Sequence, residues 1–249
     1  MQSLPQTAFF ASDPWLSAFL QRPAYRLTDL PIHPEMRTLL AERPLFVTAK
    51  CPLDNIAAVG QLEDAGFRVI DAALTFDAAR LLPDAGGKAV RFATAQDRAA
   101  VRAIAGRAFR YTRFHLDPAL PKALAHGIKA AWADNYFAGQ RGDGMVVAEY
   151  GGKIAGFLQL LWQGETLVID LIAVEPEAGR MGLATAMIGF AAVNGTGDAR
   201  RPSSFKVGTQ AANTASCRLY ENLGFRICAS AFVLHHHGAG GGYPAMVAA

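Results

Sequence analysis

The stretch from Asp170 to Ala192 constrains the fold of this 249-residue chain more than any other. It opens with an apolar, β-branched run through Val174, which predicts a half-buried strand. A proline and a glycine then break the strand, and helical spacing begins at Met181. Gly182 and Ala184 fall in the first helical turn, where small side chains let an anion approach free backbone N–H groups. The stretch therefore predicts a phosphate-binding turn between a strand and a helix.

A second stretch, Asn213–Phe225, has the letters NTASCRLYENLGF. Asn213 is a favourable N-cap, the apolar residues after it keep helical spacing, and Gly224 stops the helix before a new strand. Without the first stretch, this pattern would indicate only an amphipathic surface helix. Taken together, the two stretches resemble the GNAT acetyltransferases, which move an acetyl group from acetyl-CoA to an amine.

That resemblance implies an α+β fold with α/β/α layers around a mixed, mostly antiparallel central sheet. From residue 90 onward the predicted order is strand, two helices, three antiparallel strands, helix, strand, helix and strand, as in the GNAT family. The clearest local signal is a β-hairpin of Met145–Tyr150 and Lys153–Trp162 around two glycines. Thr166–Val174 is the predicted third strand, and residues 110–120 are a predicted aromatic and basic loop.

The chain is predicted to have three parts: residues 1–87, a smaller N-terminal α/β half-domain; residues 88–237, the acetyltransferase domain; and residues 238–249, a flexible tail. The boundary lies at Leu82–Lys88, a linker rich in Pro and Gly. Residues 62–76 and 220–234 share a helix end, a Gly-Phe-Arg turn and an apolar strand, which suggests two related half-domains. Chance similarity is the alternative, because a helix, a glycine and a strand commonly follow one another.

Composition excludes several classes of protein. Hydrophobic residues make up 51% of the chain and charged residues 18%, as in globular proteins. The net charge of +3 is dispersed, so no nucleic-acid partner is expected. The three cysteines lack CxxC spacing, the N-terminus lacks a signal-peptide pattern, and the longest apolar helix candidate is too short to span a bilayer. We expect a cytoplasmic protein with no membrane partner, and a homodimer is left open.

The resemblance also implies the residues that bind acetyl-CoA. The backbone at the end of the predicted strand would contact the pantetheine arm or the reacting carbonyl, and the turn and first helical residues would bind the pyrophosphate. The family usually has Gln or Arg where this chain has Gly179, so the adjacent Arg180 is expected to supply charge. The implied set is Ile172, Ala173, Val174, Gly179, Arg180, Met181, Gly182, Leu183, Ala184, Thr185, Asn213 and Tyr220.

Two catalytic residues are predicted. Tyr220 stands at the family's tyrosine position, where a phenol can protonate the leaving sulfur; its alternative role is a half-buried aromatic that packs its helix. Asp71 is the predicted base, with Asp170 and His115 as competing candidates, and its alternative is a solvated carboxylate at a strand end. Water could relay the proton from the amine to such a carboxylate.

The N-terminal half and the loop TRFHLDP resemble the GNAT branch that acetylates nucleotide-linked amino sugars, of the dTDP-fucosamine type. In that loop Arg113 is predicted to pair with a phosphate, and Phe114 or His115 to stack on a ring. The alternative is a loop salt bridge with a buried aromatic. No metal is expected, because three adjacent histidines, His235 to His237, would point to alternating faces of a strand.

Three functions follow as hypotheses. The first is an N-acetyltransferase that acts on a nucleotide-linked amino sugar by direct attack in a ternary complex. The second is a GNAT enzyme that acetylates a protein N-terminus, an amino acid or a polyamine. The third is a catalytically silent acyl-CoA-binding protein, against which the presence of both Asn213 and Tyr220 argues.

Overall fold

The computed structural model describes residues 9–30, 32, 36–37, 40, 44–81 and 88–239. The predicted linker, apart from its last residue, and the predicted tail from residue 240 lie outside the described residues. The chain forms two compact units. The first unit contains residues 1–73, 113–124 and 230–249, and the second contains residues 74–112 and 125–229. The three-part division of the chain at residues 88 and 238 stays a prediction.

The described elements agree closely with the predicted order. The strands are β1 (Phe10–Ser12), β2 (Ala24–Leu27), β3 (Phe46–Pro52), β4 (Arg68–Ala78), β5 (Val90–Phe92), β6 (Gly144–Tyr150), β7 (Lys153–Gln163), β8 (Thr166–Val174), β9 (Ser204–Gln210) and β10 (Arg226–His237). The helices are α1 (Pro14–Leu20), α2 (Ile56–Asp64), α3 (Arg98–Ala108), α4 (Arg113–Leu116), α5 (Lys122–Phe137), α6 (Leu183–Asn194) and α7 (Thr214–Asn222).

The segment 110–120 corrects one sequence prediction, because it is not a loop throughout. Arg113–Leu116 forms the single helical turn α4. Burial explains this turn: the aromatic side chain of Phe114 is 1% exposed and packs near the ring of His235. A loop rich in aromatic residues can therefore gain local order from packing that its sequence spacing does not reveal.

In the first unit, β1 pairs antiparallel with β2, β2 pairs parallel with β3, and β3 pairs antiparallel with Ala231–His237 of β10. Tyr25, Val47, Leu62, Phe67 and Leu234 are among the buried residues of its core. Helix α1 starts where the side chain of Asp13 accepts the backbone N–H of Leu16 at 2.9 Å, which is a standard N-cap.

In the second unit, β5, β6, β7 and β8 form an antiparallel series, and β9 adds in parallel to β8. One sheet face packs on α6 through Met187 and Ile188, and the opposite face packs on α3 and α5 through Ile104 and Ala133. Helices on both faces of a mixed, mostly antiparallel sheet give the layered α+β fold that the sequence predicts.

Strand β8 contains a bulge at Asp170. Ile169 pairs with Leu160 of β7, and Leu171 pairs with Gln159, so Asp170 has no partner in the register. One extra residue turns the side chains that follow it to the other face of the sheet. Accordingly, Leu167 and Ile169 belong to the core on the α6 side, whereas Leu171 and Ala173 belong to the core on the α3 and α5 side.

The predicted internal similarity has a structural counterpart. In the series β9, α7 and β10, each element starts 158 residues after its counterpart in β3, α2 and β4, as from Phe46 to Ser204. At both turns the glycine has a positive φ, +88° at Gly66 and +95° at Gly224. The next residue is a buried Phe in each case. The shared spacing supports two related half-domains, and their relationship stays a prediction.

Candidate functional site

The two parallel strands of the second unit separate near their ends. Thr166–Ile169 of β8 pairs with Ser204–Val207 of β9, and the register stops there although both strands continue. A cavity of about 390 Å³ opens at this point, lined by Asp170–Val174 of β8 and Gly208–Gln210 of β9 among other residues. Because a bulge bends its strand and raises its twist, the bulge at Asp170 explains why β8 leaves β9 here.

Asp170 is held by several donors. Arg141 donates from Nε at 2.7 Å and from Nη2 at 2.6 Å, Trp132 donates its indole N–H at 3.0 Å, and Gln159 donates from Nε2 at 3.2 Å. The hydrogen bond with Asp170 raises the pKa of Arg141. These bonds already occupy both oxygens of the carboxylate. These contacts suit Asp170 to fixing the bulge rather than to deprotonating an amine.

The N-terminus of α6 has the backbone that an anion-binding turn needs. Gly182 is the N-cap with φ +77°, and Arg180 also has a positive φ, +64°. The first bond of the helix runs from the N–H of Ala186 to the carbonyl of Gly182, so the N–H groups of the first turn have no partner within the helix. Gly179 differs from its neighbours: its N–H donates to the carbonyl of Pro176 at 3.1 Å, and its φ is −60°.

Lys88 is a neighbour of this turn that the sequence does not point to. A Cβ atom on Gly182 would lie 3.9 Å from Cε of Lys88, so the lysine stem reaches the helix N-terminus. A cation beside the positive end of a helix is unfavourable unless an anion binds there. Together with Arg180, Lys88 can supply the charge that Gly179 lacks.

Tyr220 and Asn213 both line the cavity. Tyr220 is 2% exposed and packs between the rings of Phe76 and Phe225. Burial raises the pKa of Tyr220 well above its usual range, and a hydrogen bond with Ser216 only partly opposes this. Asn213 caps α7 as predicted: its side chain accepts the N–H of Ser216 at 3.4 Å. The phenol is therefore protonated at neutral pH.

One wall of the cavity carries a buried lysine. Lys129 on α5 is 8% exposed, and its Nζ lies 5.0 Å from the ring centroid of Phe109 and 4.5 Å from that of Trp132. Aromatic faces stabilise an ammonium group that has lost much of its water. Sequence analysis missed Lys129, although its spacing from Trp132 on one helix face is a usable signal.

The other predicted site residues belong to the first unit. Asp71 on β4 is 6% exposed. The guanidinium carbon of Arg113 lies 4.6 Å from the ring centroid of the buried Phe114, and His115 is buried and accepts a hydrogen bond at its carbonyl from Lys122. The second unit thus contains the predicted cofactor residues and Tyr220. Their roles stay predictions, as do those of Asp71, Arg113, Phe114 and His115.

The three histidines alternate between faces, as their sequence predicts. His235 Nδ1 lies 2.6 Å and His237 Nε2 lies 2.9 Å from the same oxygen of Asp117, whereas His236 bonds the carbonyl of Leu40. Arg22 lies 2.6 Å from His237 Nδ1. Because arginine only donates, this nitrogen accepts, and His237 Nε2 carries the proton that it donates to Asp117.

Hydrogen bonds join the members of this cluster to one another. Ligand atoms of Asp117, His235 and His237 all lie within 4.8 Å of one another, which would suit a metal by distance alone. A metal on His237 Nε2 would require a proton on Nδ1, where Arg22 already donates. Burial lowers the pKa of His235 to about 4. Although burial opposes ionisation of Asp117, hydrogen bonds from the two histidines hold its pKa well below the usual range.

Comparison with known proteins identifies the class. Residues 99–225 match the model of the Acetyltransferase (GNAT) family. This match covers about half of the chain. The layered fold described above is that of the family. The separation of β8 from β9 and the N-terminus of α6 both lie within the matched residues. The chain belongs to the GNAT family of acetyltransferases.

One relative of known name shares part of its sequence with this chain. The chain is 30% identical over 139 residues to the spore coat polysaccharide biosynthesis protein SpsD of Bacillus subtilis (strain 168), which is 56% of this chain and 47% of SpsD. It therefore spans about half the length of that relative.

Two solved structures share the fold at low identity. A functionally unknown conserved protein from Staphylococcus epidermidis ATCC 12228 superimposes with a TM-score of 0.63 at 11% identity, over 95% of this chain and 94% of that one. A GCN5-related N-acetyltransferase from Kribbella flavida gives 0.56 at 17% identity, over 88% and 82%. In the described part of the chain, no helix combines the length and the apolar character needed to cross a membrane.

Proposed function

We propose that this protein is an N-acetyltransferase that moves an acetyl group from acetyl-CoA to the amine of a small acceptor. The observation that carries the proposal is the separation of β8 from β9 beside the N-terminus of α6. Unpaired strand edges offer backbone hydrogen bonds to an extended ligand that contains amides, and the helix N-terminus offers them to a phosphate. The pantetheine arm and the pyrophosphate of acetyl-CoA need these two features side by side.

The binding residues follow from this arrangement. The backbone at Ile172, Ala173 and Val174 would contact the pantetheine arm and the thioester, and Asn213 also lines this cavity. The backbone from Arg180 to Thr185 would bind the pyrophosphate, with charge from Arg180 and Lys88. Within the predicted set, Gly179 is poorly placed to bind the pyrophosphate, because its N–H already donates to the carbonyl of Pro176.

The reaction is a direct attack in a ternary complex. The neutral amine forms a bond to the thioester carbonyl carbon, the C–S bond breaks, and the sulfur takes a proton from Tyr220 while the amine loses one to a base. Tyr220 is protonated at neutral pH and therefore has a proton to donate. Its raised pKa makes it a weaker acid, but a thiolate that is desolvated in the same cavity is a stronger base than one in water, which favours the transfer. Asp71, directly or through water, is the proposed base.

The proposed acceptor is a nucleotide-linked amino sugar. The similarity to SpsD, whose name places that protein in polysaccharide biosynthesis, supports it. The phosphate and ring contacts of Arg113, Phe114 and His115 stay predictions. A protein N-terminus, an amino acid or a polyamine is the alternative acceptor for the same chemistry. A silent acyl-CoA-binding protein is the alternative of another class.

Thiol release tests the proposal. The full chain would be incubated with acetyl-CoA and, in separate reactions, TDP-linked amino sugars, peptides, amino acids and polyamines, with free CoA measured over time. Turnover with an amino sugar supports the proposed function, and turnover with peptides alone would contradict the sugar acceptor. Tight binding of acetyl-CoA with no release above the acceptor-free rate for any amine would favour the silent protein.

A further inference from the structure

We propose that the first unit contains a binding site for a diphosphate group, formed by Arg26, Lys50 and Arg113, and that a nucleoside diphosphate is the ligand it takes. The proposal rests on the nucleotide-linked acceptor proposed above and assigns its phosphates to named residues. The sequence gives no sign of a role for Arg26 or Lys50, because the two residues are far apart in the chain and belong to no motif.

Strand register places two of the cations together. Arg26 on β2 pairs with Thr48 on the parallel strand β3, and paired residues point to the same face of a sheet. Lys50 follows Thr48 by two residues, so its side chain also points to that face. Arg26 and Lys50 therefore project from neighbouring strands on the same side of the first unit.

Helix α4 brings Arg113 to the same face. Thr48 pairs on its other side with His235 of β10, whose ring centroid lies 6.3 Å from that of Phe114. Arg113 rests on the ring of Phe114, with its guanidinium carbon 4.6 Å from the ring centroid. The guanidinium is thus held by an aromatic ring that leaves its N–H groups available.

Mutual repulsion among the three cations agrees with this placement. Burial is the main cause that lowers the pKa of Arg113 to about 10, and repulsion from Arg26 acts in the same direction. Burial also lowers the pKa of Lys50, followed by repulsion from Arg113 and Arg26. Asp13 attracts Arg113 more strongly than Arg26 repels it, so burial accounts for the lowered pKa of Arg113. Asp71 attracts Lys50, but less strongly than Arg113 and Arg26 repel it.

Arg113 makes no ion pair within the described residues. Arg113 is half-buried, and a partly desolvated cation that makes no ion pair is costly unless a ligand supplies the opposite charge. One carboxylate cannot neutralise three cations, whereas a diphosphate carries several negative oxygens in a row. The planar guanidinium of Arg113 can donate two parallel hydrogen bonds to one phosphate, and Arg26 and Lys50 can bind the second phosphate.

Calorimetric titration of the full chain tests this site. The protein is first saturated with CoA, so that the cofactor's own phosphate site is filled, and is then titrated separately with TDP, inorganic pyrophosphate and thymidine. We expect TDP and pyrophosphate to bind and thymidine to bind at least about tenfold more weakly, because charged hydrogen bonds supply the affinity. Absence of TDP and pyrophosphate binding would overturn the proposal.

Matched variants assign the binding to Arg113. Arg113→Met should weaken TDP at least about tenfold, and Arg113→Lys, which keeps the charge without the planar fork, should weaken it less. Arg68→Met is the control: Arg68 is an exposed arginine of the same unit that donates to the carbonyl of Phe67. Equal TDP affinity in the Arg113→Met variant and the wild type would overturn the proposal.

A measurement without ligand separates binding from folding. Because Arg113 loses hydration on folding and makes no ion pair within the described residues, Arg113→Met should leave the melting temperature of the ligand-free protein unchanged or higher, and should abolish the stabilisation by TDP. A clear fall in the ligand-free melting temperature would show a structural role and overturn the proposal. Unchanged thiol release from an amino sugar in that variant would reject this site while leaving the proposed acetyl transfer intact.

Discussion

Removing Asp170 by deletion should close the cofactor cleft while the second unit still folds. The deletion places Leu171 directly after Ile169, so the two side chains point to opposite faces, as they already do in the structure. The cores on both faces are therefore kept without a bulge. Strand β8 can then run straight, and its continuation can pair with Gly208–Gln210 of β9, which fills the space where the strands now separate.

The contacts of Asp170 set the size of the effect on stability. Its loss removes acceptors for Trp132 and Gln159, together with an ion pair to Arg141 that is weakened by the 40% exposure of the Arg141 side chain. At about 1 kcal/mol for each of these interactions, the loss is about 2–4 kcal/mol. New ladder bonds between β8 and β9 would recover part of it in the deletion variant, at about 0.5–1.5 kcal/mol each.

Asp170→Ala is the matched control, because it removes the same contacts but keeps the residue count and hence the register. We expect Asp170→Ala to lose about 2–4 kcal/mol of unfolding free energy and to retain CoA binding within about tenfold. The deletion should reduce CoA affinity by about 100-fold or more, because the cleft itself is lost. Both are measured by calorimetric titration with CoA and by chemical unfolding followed by circular dichroism.

The comparison between the two variants tests whether the bulge at Asp170 opens the cleft. A deletion variant that is folded and binds CoA as tightly as the wild type would refute the link between the bulge and the cleft. So would an Asp170→Ala variant that loses CoA binding as completely as the deletion, because the carboxylate rather than the register would then be responsible.

Further predictions concern the cofactor turn, the proton donor and acid stability. Gly182→Ala should cost about 1–2 kcal/mol in unfolding free energy from its positive φ alone, since its Cβ would meet only Lys88 at 3.9 Å, and a variant as stable as the wild type would contradict this. Lys88→Ala should weaken CoA more at low salt than at high salt, as titrations at two ionic strengths would show. Tyr220→Phe should lower kcat by about 10²–10⁴-fold with unchanged CoA affinity, and a near-normal rate across pH would exclude the proton-donor role. The pKa of His235 is lowered to about 4 in the folded protein, so the unfolded chain takes up this proton first as the pH falls. The contribution of His235 to stability is therefore complete above about pH 6.5 and is lost as the pH falls toward 4. His235→Gln should make the free energy of unfolding depend less on pH in that window.

Sequence patterns predicted most strands because their signals are local. The predicted strand Thr166–Val174 has the observed bounds, and Asn213 caps its helix as expected. The bulge is different. Leu167, Ile169, Leu171 and Ala173 are spaced two residues apart, which ordinarily places side chains on one face of a strand. The switch of face depends on partners of Asp170 that are distant in sequence, so periodicity carries no trace of it.

The charged residues of the site were hard to predict for a similar reason. Lys88, Lys129 and Lys50 belong to no motif, and each acquires a role only through the neighbours that the fold supplies. Lys88 meets the turn at Gly182, and Lys129 meets the ring of Phe109. The helical turn α4 was missed because four residues are too few for a periodic signal, and its stability comes from burial of Phe114.

A crystal structure of the full chain with bound CoA tests the central claim most directly. We expect the pantetheine arm between Asp170–Val174 and Gly208–Gln210, the pyrophosphate on the N–H groups at the start of α6, and the sulfur within hydrogen-bonding reach of the Tyr220 hydroxyl. CoA bound elsewhere, with the space between these residues of β8 and β9 still empty, would contradict this expectation.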